Sequence, residues 1–375
     1  MERVNLSDDI QCKGRKLHLQ TNTLGEEGKI ISTLFDGGRV LGKEENYYDT
    51  NLSIEELRKR VGELHSERIG GIEILYSISA RVKTVRHSLS LNKLGLQFLR
   101  WNLLDEAISE FKLAIQYDHQ YGEAYLNLGE AFLRRGGLEE AINILEQGVK
   151  VAPEYADMWQ KLGRAYLQCR FYKKALEAFR RALKINPSYD EPLFSVSLCL
   201  IEVMVKGIKK KEFPDEEECR KQVREHLHRV AALSARFRVP GFEEAMRRIH
   251  RGDMDQALKL LQKVDGELPK VVDLGFDDAF YLNFLYGERG RNTKAVQEYV
   301  NKLEALVREH PDFPDIHNKL GVAYLIQCRS LFNRALHQFQ RACDINPEYK
   351  RAESNLKLAK NDGKGLLILL RAMLK

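Results

Sequence analysis

The side chains with most chemistry in this 375-residue chain are few and scattered. Six cysteines, Cys12, Cys169, Cys199, Cys219, Cys328 and Cys343, include no C-x-x-C pair, the spacing that zinc ribbons and dithiol redox sites need. Buried, reduced thiols are the expectation. His226 and His228 are two apart; on a helix they point to different faces, so one metal ion does not easily use both. Asp253, Asp255, Asp277 and Asp278 form an acidic group that an enzyme would use for proton transfer, although helix starts and turns carry the same residues. Lys209–Lys211 with Arg220, Lys221 and Arg224 would serve nucleic acid if they formed one basic face; the acidic run that follows Phe213 favours a solvated turn. Phosphate-loop, zinc-protease and nucleophile-elbow motifs are missing from the sequence. No cofactor and no catalytic set are therefore expected.

Composition is ordinary for a soluble protein. Apolar residues make up 43% and charged residues 30%, and the net charge of +6 is spread along the chain. No apolar run reaches the roughly 20 residues that span a bilayer. The start of the sequence has acidic residues and no apolar stretch behind a basic one, which argues against a secretory leader. A cytoplasmic protein without membrane insertion is expected.

The elements that would position these residues are betrayed by a repeat. Leu94-Gly95, Leu128-Gly129 and Leu162-Gly163 recur with a period of 34 residues. Phe98, Phe132 and Tyr166 follow at one offset, Ala107, Ala141 and Ala175 at the next, then Phe111, Leu145 and Phe179, and then Ala114, Gly148 and Ala182. Small residues let two helices approach, and large ones fill the space beside them. Such a hairpin cannot bury its apolar face alone, so neighbours must stack. With Pro153 and Pro187 closing two units, the segment resembles the tetratricopeptide repeat, whose step is 34 residues. "ADMWQKLGRAYLQCRFYKKALEAFRRALKINPSY" is similar to it along its whole length.

The resemblance implies a mainly α fold, an α-α superhelix with three regular repeats over 87–190. Residues 191–312 read as a degenerate helical-repeat region. There, "EPLFSVSLCLIEVMV" is apolar nearly all round and needs covering, for which the segment from Glu216 to Phe237 is the obvious neighbour. Ala257, and then Tyr286, Ala295 and Tyr299, suggest weaker repeats. Residues 313–375 read as a C-terminal repeat plus capping helix. Leu320-Gly321, Tyr324, Ala335, Phe339 and Ala342 carry that repeat, with its inter-helix turn lengthened by two residues relative to the third unit. Leu366 to Leu370 form a final apolar run that caps the stack or serves self-association.

Residues 1–86 read as a small antiparallel β-sheet plus helix. "RKLHLQT", "KIISTLF" and "RVLGKEE" alternate as strands, and Asp36-Gly37-Gly38 signals a tight turn. About three strands are expected. Ser53 and Glu56 form a capping box, followed by a stripe of Ile54, Leu57, Val61 and Leu64. Gly70-Gly71 should break or kink that helix. The head would cap the first repeat, bind a second partner, or pair with a second copy through a strand edge.

In stacked tetratricopeptide repeats the first helix of each unit lines a concave groove. The resemblance therefore implies a groove of Asn92, Lys93, Leu96 and Arg100, then Asn127, Glu130 and Arg134, then Lys161, Arg164 and Gln168. The subclass that clamps the terminal carboxylate of heat-shock chaperones is matched at Asn127. Leu96 stands where that subclass has a second asparagine, Asp157 where it has a lysine, and Lys161 where it has an arginine. A broader preference for carboxylate-bearing segments is the expectation. The leading reading is a non-catalytic scaffold or adaptor that binds a protein or peptide, and the alternative is a regulator touching nucleic acid or a transcription complex.

Overall fold

The computed structural model describes residues 3–12, 14–24, 27–208, 213–267, 276–286, 293–309, 311, 314–345, 350–351, 353–357 and 360. Leu366–Leu370 and Lys209–Lys211 lie outside them.

The head is a four-stranded antiparallel meander: β1 (Asn5–Cys12), β2 (Arg15–Leu24), β3 (Lys29–Asp36) and β4 (Arg39–Tyr47). Asp36 pairs with Arg39 across Gly37 and Gly38, which take φ values of 54° and 81°. That is the geometry a two-residue hairpin requires. The strand beyond the three expected is β1. Its Asp8-Asp9 pair hides the alternation, because Asp8 stands opposite Leu19 and accepts from buried His65 at 3.0 Å.

Helix α1 (Ile54–Val85) begins at the expected capping box, with both reciprocal hydrogen bonds formed. It runs unbroken through Gly70-Gly71. Two glycines cost a helix about 1 kcal/mol each, but Ile72, Leu75, Ile78 and Val82 are buried just beyond them, and packing wins. The first half of α1 covers the sheet through Leu57, Val61 and Leu64. Its second half shares a core with Leu17, Leu19 and Leu34 of the sheet and Leu94 and Phe98 of the first repeat. One helix thus belongs to both the head and the array.

The array follows as three helical hairpins: α2 (Ser88–Arg100) with α3 (Leu104–Tyr117), α4 (Gly122–Arg135) with α5 (Leu138–Val151), and α6 (Ala156–Gln168) with α7 (Tyr172–Ile185). A Cβ placed on Gly95, Gly129 or Gly163 would lie 2.5, 2.5 or 2.4 Å from Phe111, Leu145 or Phe179. Each glycine is therefore the hole into which the second helix inserts its large residue. Each hairpin turn also closes identically. Asn102, Gly136 and Arg170 are left-handed, and the following N–H donates back to the carbonyl of Phe98, Phe132 or Tyr166 at 2.8–2.9 Å, the helix-terminating arrangement that favours one left-handed residue.

Helix α8 (Asp190–Val205) is buried from Pro192 to Ile201. Helix α9 (Glu216–Leu233) covers it with Cys219, Val223, Leu227 and Val230. Helices α10 (Pro240–His250) and α11 (Met254–Glu267) pack as a further pair, and α11 also touches α8. Helix α12 (Phe276–Tyr286) returns to α1 and α2. Finally α13 (Thr293–Glu309) pairs with α14 (Pro314–Ile345).

In the C-terminal unit the structure differs from the expected hairpin. Residues 314–345 form one helix. No Gly or Pro lies between Gly321 and Ile345, and the two-residue insertion shifts Ala335 and Phe339 off the register that would face Gly321. Accordingly Tyr324 is 42% exposed, and a Cβ on Gly321 would meet nothing within 4 Å.

Gly163 and Gly321 should therefore respond oppositely. Gly163→Val is expected to lose about 1–3 kcal/mol through overpacking, whereas Gly321→Ala should gain about 0.5–1 kcal/mol from helix propensity alone. Urea denaturation followed by circular dichroism, with hydrogen exchange to locate each effect, checks both signs.

Candidate functional site

The first helices of the three repeats, α2, α4 and α6, turn their glycine faces to the second helices, and α4 touches both α2 and α6 along the side expected to line the groove. Asn92 and Asn127 meet there: Asn127 Nδ2 donates to Asn92 Oδ1 at 2.9 Å, and Asn92 Nδ2 donates to the Tyr121 hydroxyl at 3.1 Å. Glu130 joins Arg134 at 2.8 Å and Lys161 at 2.7 Å, bridging the second and third repeats. Burial opposes its ionisation, but Lys161 and Arg134 outweigh that and hold its carboxyl at about 2, against an ordinary 4.5.

The remaining predicted residues are not brought into that cluster. Arg100 turns to the head and donates to Glu44 at 3.1 Å, where Arg68 also pairs. Leu96 packs at the margin of the core, and Gln168 is exposed. Arg164 makes a two-pronged pair with Asp265 of α11, at 3.1 and 2.8 Å; burial opposes its charge, yet Asp265 raises its pKa overall. Lys93 pairs with Asp278 of α12, and its ammonium lies 5.2 Å from the centre of the Tyr281 ring.

Helix α12 makes further contacts on the first repeat and on α1. The Ser90 hydroxyl lies 3.3 Å from that of Tyr281 and 2.7 Å from that of Tyr286. Arg81 donates to the Tyr286 carbonyl at 2.7 Å. Tyr281 and Leu282 are buried in the core shared with Leu94 and Phe98. Cations at the third and first repeats thus each hold a carboxylate from the later part of the chain, at 265 and at 278.

A family model described as tetratricopeptide repeat matches residues 92–147 and 126–190. Residues 92–190 are tetratricopeptide repeats. Tetratricopeptide solenoids are scaffolds that generally mediate protein–protein interaction, and they are generally non-catalytic. Among solved structures, a crystal structure of MamA is 22% identical, covers 48% of this chain and 96% of its own, and has a TM-score of 0.38. YrrB, described as a TPR protein with an unusual peptide-binding site, is 16% identical over 56% of this chain and 100% of its own, with a TM-score of 0.37. TTC0263, a thermophilic TPR protein of Thermus thermophilus, is 21% identical over 51% of this chain and 97% of its own, with a TM-score of 0.35. No curated protein matches the chain.

The other reactive groups do not assemble with the tetratricopeptide trough. Asp253 accepts from Arg248 and from the Gln256 N–H, and Asp255 pairs with Lys259; the Asp277 side chain lies outside the described residues. His228 meets His250 edge-to-face, with ring centres 6.0 Å apart, and burial lowers the pKa of His226. Cys12, Cys199 and Cys219 are buried free thiols, with Cys199 pushed up to about 12 by desolvation, while Cys328 is exposed. Among the described residues no three His, Cys, Asp or Glu side chains form a metal-holding group, and no helix is long and apolar enough to cross a membrane.

In the head, Asp8, His65 and Thr21 form a chain of hydrogen bonds at 3.0 and 2.8 Å, continued to Ser32 at 3.2 Å. Thr21 and Ser32 are wholly buried, so the chain ties sheet to helix and offers no nucleophile to a substrate. Between the head and α3 lies a cleft of about 330 Å³, in which Arg15 joins Asp36 and Glu106, and Ser79 and Lys83 share Glu110.

Sequence reasoning passed over Asp265, Tyr281 and Tyr286 as trough partners, because they are distant along the chain and lie where the repeat is degenerate. Asp278 stood out only as one of several acids.

The Glu130 cluster predicts a pH signature. Its folded pKa lies below the unfolded one, so its contribution is present above about pH 4.5 and lost as pH falls toward 2. Glu130→Gln should be less stable than the natural chain by roughly 1–3 kcal/mol at pH 6, and the gap should narrow steadily between pH 4.5 and 2. Paired denaturation curves across that range measure it.

Proposed function

We propose that this chain is a non-catalytic cytoplasmic adaptor whose tetratricopeptide trough captures a carboxylate-bearing peptide or protein segment. The observation that carries the reading is the fate of the trough cations. Lys93 and Arg164 lie on the first and third repeats, and each is satisfied by an aspartate from outside the repeats. A half-buried cation favours a charged partner, so a segment that enters the trough and displaces these aspartates is favoured when it brings carboxylates of its own. Asn127, half-buried and able to donate and accept, suits the amides of such a segment.

The alternative of nucleic-acid contact draws no comparable support: Arg220 is engaged by Glu216 at 2.7 Å, and the lysine run lies outside the described residues. Self-association through the head or the C-terminal run is part of the adaptor reading only as a second mode.

A peptide array of acidic, neutral and basic segments probed with the intact chain tests the reading. Acidic peptides should bind, and Lys161→Glu with Arg164→Glu should weaken them about tenfold or more, the scale of one lost charge-assisted contact. Binding that ignores both peptide charge and these substitutions would remove it.

A further inference from the structure

We infer that the surface formed by α1 and the first repeat is a docking site for a helix carrying a carboxylate one turn ahead of a Tyr-Leu pair, and that α12 is the chain's own copy of that ligand. The inference rests on the adaptor reading and names its preferred partner.

The groups on α12 that reach this surface are Asp278, Tyr281, Leu282 and Tyr286, spaced i, i+3, i+4 and i+8. That spacing puts them on one helical face. The surface answers each in kind. Lys93 takes the carboxylate and also covers the Tyr281 ring. Ser90, fully buried, meets both tyrosine hydroxyls. Arg81 takes the carbonyl at the end of the helix. Leu282 enters the core between α1 and α2 and is fully buried.

Two features set α12 apart from the other helices that pack on the repeats. First, its repeat side joins a buried apolar pair, Tyr281 and Leu282, to charge and hydroxyl contacts, where α3, α5 and α7 insert large side chains into glycine holes. Second, its bonding partners are some 185 to 205 residues away in sequence, so it is supplied in trans to the repeat in every respect but covalent linkage. Its other side carries Phe280, which stacks on Tyr299 of α13 at 3.8 Å between ring centres. Helix α12 therefore leaves the surface together with α13 and α14, and a partner helix of the same pattern takes its place. The natural chain binds such a partner weakly because only its open fraction is competent.

The test uses the full-length chain and a fluorescein-labelled peptide of residues 276–286 flanked by Ser-Gly, read by anisotropy. Asp278→Lys should release α12 and bind the peptide about tenfold more tightly than the natural chain. Lys93→Asp should reject this peptide and accept one with lysine in place of its Asp278. The double exchange, Lys93→Asp with Asp278→Lys, should close again and return to weak binding. Asp278→Lys binding no more tightly than the natural chain, or peptide preference that does not follow the exchanged charge, overturns the inference. A natural chain that is a dimer and falls to a monomer on Asp278→Lys would make a second copy the occupant, and would overturn it too. If circular dichroism shows either single variant unfolded, Tyr286→Phe replaces it, since it removes only a hydroxyl; about threefold tighter binding is then expected, and no change overturns the proposal. Failure here with acidic array peptides still bound defeats this inference alone, whereas failure of both defeats the adaptor reading as well.

Discussion

Everything in this molecule hangs on a contact between an absent atom and a bulky one. Gly95, Gly129 and Gly163 lack the Cβ that would occupy the space of Phe111, Leu145 and Phe179. That close approach fixes each pair of helices as a hairpin, and the left-handed residue at 102, 136 or 170 sets where the chain reverses. Once the glycine face is committed to the second helix, the opposite face of the first helix has nowhere to point but the trough. The placement of Lys93, Glu130, Lys161 and Arg164 is thus a consequence of packing on the far side of the same helices.

The parts of the fold visible in the sequence are those governed by local spacing. A glycine and a phenylalanine sixteen residues apart, at 95 and 111 or at 163 and 179, announce a hairpin because both ends of the contact lie within one repeat. The capping box at Ser53 and the two-glycine turn at 37–38 are equally local. What escaped is non-local. Strand β1 pairs through backbone while its aspartates obscure the alternation. The glycine pair in α1 is overruled by side chains that reach both the sheet and the first repeat. In α14, the marks of a repeat are present at Leu320-Gly321, but a two-residue shift removes the match between hole and knob, and the helix simply continues. The same logic explains why Lys93 could be assigned to a helix and its partner could not: Lys93 is placed by its own repeat, whereas Asp278 is placed by the path of the chain.

The trough is consequently not an empty surface awaiting charge. Glu130 neutralises Lys161 and Arg134 within the array, and Asp265 and Asp278 neutralise Arg164 and Lys93 from beyond it. Internal pairing of this kind contributes little net stability, since desolvation offsets much of the Coulomb attraction. On the adaptor reading it would contribute discrimination instead. A ligand without a carboxylate would leave a half-buried cation unpaired, so the cost of displacing the internal partner falls most heavily on the wrong ligand.

Covalent linkage adds a second threshold. Helix α12 is tethered to the surface it covers, and a tethered ligand acts at an effective concentration on the order of millimolar. On the docking proposal, an outside helix that reproduces only the contacts of α12 would therefore compete poorly. It would gain the advantage only through contacts beyond these, such as with Asn127 or Glu130 of the second repeat. On that proposal selectivity would reside in length as much as in chemistry, with the internal helix setting the minimum that a partner must exceed.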